Sequence, residues 1–270
     1  MSQNVLVVHG GGPTAVINAS LYGVIEEAKR NPEVGKVYGA IGGTGAIFSE
    51  TFIDLTSFDD EKLKLLLHTP ASAIGSSRYP LYEKDYEKMV DIFKKHDIKY
   101  VLLNGGNGTM DACGHIYEVC KDQDIKVVGI PKTIDNDIAM TDHSPGYGSA
   151  ARFIAASIQE VGEDVKSLPI HVCIMEAMGR NAGWITAASA LARRKQGDAP
   201  HLIYLPERNF NEDEFLEDVS RLQKRQGGVV VLVSEGLHDA NGESIVPPIF
   251  KSERAVYYGD VSSHLANLVV

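Results

Sequence analysis

Along this chain short apolar runs alternate with longer stretches in which apolar residues recur every three or four positions, the signature of strands interleaved with amphipathic helices. Residues 4–8, 36–41, 99–103, 126–130, 171–175, 201–205 and 228–234 read as strands, with 126–130 apolar enough to be read as buried. Residues 14–30, 59–68, 83–96, 109–121, 148–162, 184–194 and 212–226 read as helices, those at 59–68 and 83–96 with charged outer faces. Helices of this length between strands imply βαβ crossovers and mostly parallel sheets. The fold class is therefore α/β. Pro145-Gly146-Tyr147-Gly148 reads as a crossover between two lobes.

Ligands of open α/β sheets sit beyond the carboxyl ends of the strands, so the loops there carry the chemistry. The first strand runs into His9-Gly10-Gly11-Gly12-Pro13-Thr14, and the strand ending at Leu103 runs into Asn104-Gly105-Gly106-Asn107-Gly108-Thr109. Glycines let a backbone approach a phosphate, and a following helix offers N–H groups and a positive dipole end. Neither loop is a Walker A sequence, because no Gly-Lys-Ser/Thr follows. One such loop is equally a tight strand-to-helix turn; two at successive strand ends point to an anion. After Ile130 comes Pro131-Lys132-Thr133-Ile134-Asp135-Asn136-Asp137, a loop with two carboxylates and a cation. Asp135 and Asp137 are two apart and share one side if the loop is extended. A solvated acidic turn accounts for the pair, and an Asp taking the proton of a sugar hydroxyl during phosphoryl transfer fits the neighbouring loops better. Arg78, Arg180 and Glu235 stand in similar positions, where an isolated surface residue is the other reading.

Composition narrows the partners. With 26 Lys and Arg against 36 Asp and Glu the formal net charge is −10, which gives no basic footprint for nucleic acid. An anionic substrate must be held by a few local cations and helix N-termini against that global field. No apolar run approaches the roughly 18 residues of a membrane span. The N-terminus enters an apolar strand without a charged n-region or cleavage site, so a cytoplasmic protein is expected. Cys113, Cys120 and Cys173 lack metal-ligand spacing and read as free thiols inside apolar segments.

Taken together these residues resemble the phosphofructokinases that use ATP or pyrophosphate. The resemblance runs from about Val5 to Gly236 through the loop at 10–18, Gly75-Ser76-Ser77-Arg78, the glycines at 105–109, Pro131 to Asp137, Met178-Gly179-Arg180 and, more weakly, Glu235-Gly236. The overall pattern is most similar to the group that includes pyrophosphate-dependent members. It implies two Rossmann-like lobes with mostly parallel sheets flanked by helices: a donor-binding lobe at 1–147, a fructose 6-phosphate lobe at 148–250, and at 251–270 the start of a further segment. It implies phosphoryl transfer to the 1-hydroxyl of fructose 6-phosphate. Asp135 matches the general base, with Lys132 and Arg78 beside the transferring phosphoryl group. Gly11, Gly12, Gly106, Asn107, Gly108 and Thr109 match the donor site. Thr133, Asp137, Met178, Gly179, Arg180 and Glu235 match the sugar site. Mg²⁺ would bridge the phosphates with Asn107 as its protein contact, and the complete protein would be a homo-oligomer, a dimer or tetramer.

The resemblance leaves the donor open. Gly108 stands where ATP users have Gly and pyrophosphate users generally have Asp, whose side chain would crowd a nucleotide's α-phosphate. Lys132 stands where pyrophosphate users have Lys and most bacterial ATP enzymes Gly. Steric exclusion is the harder constraint, so ATP comes first and pyrophosphate second. Asn107 replaces an Asp often found there, which weakens a metal contact, and His171 stands where an Arg often reaches a neighbouring subunit's sugar phosphate. The apolar end Leu268-Val269-Val270 carries no helix-stop signal. A truncated chain is therefore expected, and with it the alternative of an inactive fragment that binds nucleotide or assembles with other subunits. A diacylglycerol- or NAD-kinase-like phosphotransferase shares the Gly-rich loop, but needs neither Pro-Lys-Thr-Ile-Asp-Asn-Asp nor Met-Gly-Arg.

Overall fold

The computed structural model describes residues 3–168, 170–251 and 256–270. It contains two compact units, one ending at Thr133 and the next beginning at Ile134. The sequence places the boundary later, at 147/148. The structure draws it earlier because Ile134, like Tyr147, packs against the core of the second unit, which contains Ile154, Ile158 and Leu232. Within the expected segment at 251–270, residues 252–255 lie outside the described residues.

In the first unit, β1 (Gln3–Gly10), β2 (Val34–Ala40), β3 (Phe52–Asp54), β4 (Ile98–Gly105) and β5 (Lys126–Pro131) form one sheet in the order β3-β2-β1-β4-β5. Helices α1 (Ile17–Arg30), α2 (Gly45–Phe48), α3 (Asp60–Lys64), α4 (Glu83–Lys95) and α5 (Asn107–Cys120) lie between them in sequence. β1 is parallel to β2 and β4, β4 is parallel to β5, and β3 runs antiparallel to β2. Along β1, Leu6 and Val8 join one core with Phe93 and Ile116, while Val5 and Val7 join another with Leu21 and Ile25. Burial on both faces is why this strand is a continuous apolar run. β5 corrects an expectation. It is an edge strand with Val128 52% exposed, not a buried one. A short apolar run does not distinguish the two, and Pro131, which has no N–H to donate, is tolerated at an edge.

The strand order fixes where a ligand can go. The chain leaves β1 toward β2 and β3, then returns on the other side of β1 as β4. That reversal is a topological switch point, with a crevice beyond the carboxyl ends of the two strands. Gly10 and Gly105 are register partners there, so both glycine turns open side by side.

In the second unit, α6 (Tyr147–Ser167) precedes a parallel sheet of β6 (Val172–Ala177), β7 (Leu202–Tyr204) and β8 (Val229–Ser234), in the order β6-β8-β7. α7 (Trp184–Ala188) and α8 (Glu212–Gln226) lie between its strands in sequence, and an antiparallel pair β9 (Pro248–Lys251) and β10 (Val256–Tyr258) precedes α9 (Val261–Val269). The fully buried β8 sends Val230 and Leu232 into the core shared with α6, and Val229, Val231 and Val233 into the core shared with Phe215 and Val219 of α8. Asn211 caps α8 by accepting from the Glu214 amide at 3.1 Å, and Glu212, Asp213 and Glu214 sit at the positive end of its dipole. The helix expected at 184–194 is shorter. α7 ends at Ala188 and the chain tightens into a 3₁₀ turn at Ser189–Ala192, where the Ser189 hydroxyl donates to the Thr186 carbonyl at 2.6 Å.

Candidate active site

At the switch point of the first unit lies a pocket of about 370 Å³. Gly11 and Gly12 come to it from the first turn, and Gly106, Asn107, Gly108 and Thr109 from the start of α5. Arg78 and Lys132 complete it. The sequence-derived donor residues are thus brought together with both cations; Thr133, half-buried and the last residue of the unit, is not part of the lining. Thr44, Ser77 and Tyr79 also line the pocket, and nothing in the sequence marked Thr44 or Tyr79. Because Asn107 and Gly108 lie in the first turn of α5, one wall is the positive end of a helix dipole. Lys132 is only 5% exposed, and its ammonium donates to the Gly12 carbonyl. His9, fully buried behind the pocket, has its pKa lowered to about 4, first by burial and then by the charge of Lys132. It is neutral near pH 7.

The glycines divide into two kinds. A Cβ on Gly10 would stand 2.3 Å from the Thr109 hydroxyl oxygen, and one on Gly105 2.2 Å from the same atom. These glycines are required by packing, because Thr109 fills the notch between the ends of β1 and β4. A Cβ on Gly12 or Gly108 meets no heavy atom within 4 Å. Packing does not require those two, and both face the pocket. Gly105→Ala is therefore expected to lower unfolding stability by about 1–3 kcal/mol through overpacking. Gly12→Ala leaves stability near its starting value and weakens donor binding instead. Denaturant unfolding and calorimetric titration with ATP and with pyrophosphate check the pair.

In the second unit Asp135 is half-buried and Asp137 exposed. The extended loop that would put both on one side is not what forms: Asn136 between them has φ 59°, in the left-handed region. Alternation by two fails across such a residue, so the shared-side argument is corrected. Asn136, 7% exposed, pins the loop. Its amide nitrogen donates to the Asp142 carbonyl at 3.1 Å and its oxygen accepts from the Ser144 amide at 2.7 Å. An asparagine between two aspartates was the available signal, since Asn tolerates this conformation better than most residues.

Met178, Gly179, Arg180 and Glu235 also come together within this unit. Gly179 turns at φ 114°; its amide donates to Glu235 Oε1 at 3.1 Å, and its carbonyl accepts from the buried Ser234 hydroxyl at 2.9 Å. Glu235 is therefore a brace for the turn. The Arg180 guanidinium donates to the Val256 carbonyl at 3.1 Å, stands 4.0 Å from Glu235 Oε2 and lies 5.3 Å over the Tyr258 ring. A pocket of about 340 Å³ opens here, lined by Arg180, Asn181, Glu235, His238, Ser244 and Tyr258 among others. Met178 is 62% exposed beside this turn. Gly236 holds the arrangement by having no side chain, for a Cβ there would fall 1.7 Å from the Arg180 carbonyl oxygen. Gly236→Ala is expected to push the turn at 178–180 out of place and weaken fructose 6-phosphate binding at least about tenfold, roughly 1.4 kcal/mol. Calorimetry with fructose 6-phosphate reads the effect.

Residues 4–267 match the family described as Phosphofructokinase. The chain belongs to the phosphofructokinase family. It is 42% identical over 272 residues to the pyrophosphate–fructose 6-phosphate 1-phosphotransferase of Rhodospirillum rubrum, covering 98% of this chain and 67% of that protein. Among solved structures it resembles the pyrophosphate-dependent phosphofructokinase of Marinobacter aquaeolei, with a TM-score of 0.84 and 37% identity over 99% of this chain and 64% of that one. The pyrophosphate-dependent phosphofructokinase of Nitrosospira multiformis gives a TM-score of 0.86 at 35% identity, over 100% of this chain and 66% of that one. The chain spans about two thirds of the length of these relatives. The expected likeness to the group with pyrophosphate-dependent members is borne out, as is the α/β fold.

Phosphofructokinases are phosphotransferases that generally need a divalent metal. The pocket of the first unit offers Asn107, Thr44 and Ser77 oxygens and no carboxylate, and the described residues hold no cluster of three His, Cys, Asp or Glu side chains able to bind a metal. That set suits an ion whose ligands come mainly from a substrate's phosphates, as hard cations bound at phosphoryl-transfer sites often do. All three cysteines are free; Cys113 and Cys120 are buried, and burial pushes the Cys120 thiol up to about 11. No helix among the described residues is long and apolar enough to cross a membrane.

Proposed function

We propose that this phosphofructokinase chain transfers a phosphoryl group to the 1-hydroxyl of fructose 6-phosphate, giving fructose 1,6-bisphosphate. The observation that carries the reading is the convergence of Gly11, Gly12, Gly106, Gly108, Arg78 and Lys132 on one pocket at a switch point, in a chain of net charge −10. Such a pocket concentrates local cations and backbone N–H groups where the global charge would repel an anion. The sugar substrate rests on the similarity to the Rhodospirillum rubrum protein named for it.

In the reaction the donor's phosphates lie against Gly12, Gly106 and Gly108, with Arg78 and Lys132 on the transferring group. Met178, Gly179 and Arg180 contact fructose 6-phosphate, and Glu235 accepts hydrogen bonds from its hydroxyls. Asp135 takes the proton from the 1-hydroxyl as that oxygen bonds to phosphorus and the bridging oxygen leaves with ADP or phosphate. Positioning and charge stabilisation carry most of such a reaction. Mg²⁺, when bound, neutralises charge on the donor's phosphate oxygens, and Asn107 is the side chain that would reach it.

Two donors have specific support. The open space at Gly108 favours ATP, because no side chain crowds an α-phosphate. The likeness to relatives named for pyrophosphate favours pyrophosphate. We place ATP first and pyrophosphate second. A coupled assay for fructose 1,6-bisphosphate, run separately with each donor, tests the reading. Product with ATP supports it, product with pyrophosphate alone reverses the donor order, and binding without product with either makes this chain an inactive fragment.

A further inference from the structure

We propose that His9 and Ser72 form a relay that positions the loop at 76–78 for the donor's phosphates, which makes His9 a positioning residue for donor binding. This rests on the reading of the glycine pocket as the donor site. His9 ends the apolar run of β1 as a fully buried polar residue, and a buried polar group without a structural task is costly.

The hydrogen bonds define the task. Ser72 Oγ donates to the Gly75 carbonyl at 2.7 Å, so its single proton is spent. The contact of 2.8 Å between His9 Nδ1 and Ser72 Oγ must then be a donation from the ring. That fixes the tautomer with the proton on Nδ1. Nε2, left bare, faces the Asn104 amide nitrogen at 3.4 Å, and the same nitrogen donates to the Ile17 carbonyl at 3.0 Å. The low pKa of the ring agrees with a neutral imidazole in this place.

The far end of the relay is the pocket. Gly75 closes a turn by donating its amide to the Ser72 carbonyl at 3.1 Å, with φ 73°. Immediately after it, the Ser76 hydroxyl donates to the Gly11 carbonyl at 2.6 Å and the Gly11 amide donates to the Ser77 carbonyl at 3.1 Å. Ser77 and Arg78 line the pocket. His9 therefore braces from inside a loop that the glycine turn grips from outside. Removing the relay frees the Gly75 end and lets Arg78 wander.

The test uses Ser72→Ala, His9→Leu and His9→Asn, with the Asn amide reproducing the Nδ1 donor. Ser72→Ala and His9→Leu are expected to raise the Kd for ATP or pyrophosphate about tenfold and to speed hydrogen exchange at the amides of 75–78. His9→Asn should recover most of both. ¹⁵N NMR of the unaltered ring should show the Nδ1–H tautomer. Lower unfolding stability with unchanged donor Kd and unchanged exchange at 75–78 would show His9 to be ordinary core and overturn the relay. The opposite tautomer would overturn it as well. If the unaltered chain binds neither donor, the donor reading fails, and exchange at 75–78 alone then decides whether the relay holds the loop.

Discussion

Replacing Asp135 by Ala is expected to lower the proposed phosphoryl transfer at least about 10²-fold, with donor and sugar phosphate still bound. The loss belongs to the chemical step. A hydroxyl is a poor nucleophile until its proton has somewhere to go, and Asp135 is the proposed acceptor. Asn136 holds the loop through Asp142 and Ser144, so the variant should keep the loop in place. Single-turnover product formation reads the chemical step, and calorimetry reads the two binding steps. Activity that survives the substitution means that Asp135 is not the base. Loss of sugar binding instead of rate would make it a contact residue.

Gly108→Asp separates the two donors. A Cβ at this position meets nothing within 4 Å, so stability should hold near its starting value. A carboxylate there repels both anionic donors, and in the proposed donor placement its volume would crowd a nucleotide's α-phosphate but not pyrophosphate. The fall in kcat/KM for ATP should exceed that for pyrophosphate by about tenfold or more, since roughly 1.4 kcal/mol of steric difference suffices. Equal losses with both donors would leave charge as the whole effect and contradict the steric account of Gly108.

Much of this was legible along the chain, for identifiable reasons. Both glycine turns could be placed because apolar runs end abruptly in them, and strand ends are where α/β folds bind ligands. What could not be read is what each glycine is for. Gly10 and Gly105 answer to Thr109, which lies close to one in sequence and far from the other, while Gly12 and Gly108 answer to the pocket. That division depends on the register of β1 against β4, which is a tertiary fact. The left-handed turn at Asn136 likewise defeated a rule of alternation that assumes extended backbone. β3, β9 and β10 span 3, 4 and 3 residues, too short for a periodic signal to rise above neighbouring loops. The lobe boundary differs for a related reason. Pro145-Gly146 marks a turn by composition, whereas the compact units divide where the Ile134 side chain packs into the second core. His9 and Ser72 carried no local mark of their roles, because each acts through a partner far away in sequence.

The central claim is that one set of groups in the first unit holds the phosphoryl donor and another set in the second holds the sugar phosphate. A crystal structure of this chain with fructose 6-phosphate and a non-hydrolysable ATP analogue tests it most directly. The account expects the analogue's phosphates against Gly12, Gly106 and Gly108 with Arg78 and Lys132 in contact, and fructose 6-phosphate against Met178, Gly179, Arg180 and Glu235. Phosphates bound elsewhere, with the glycine pocket filled only by solvent, would contradict it.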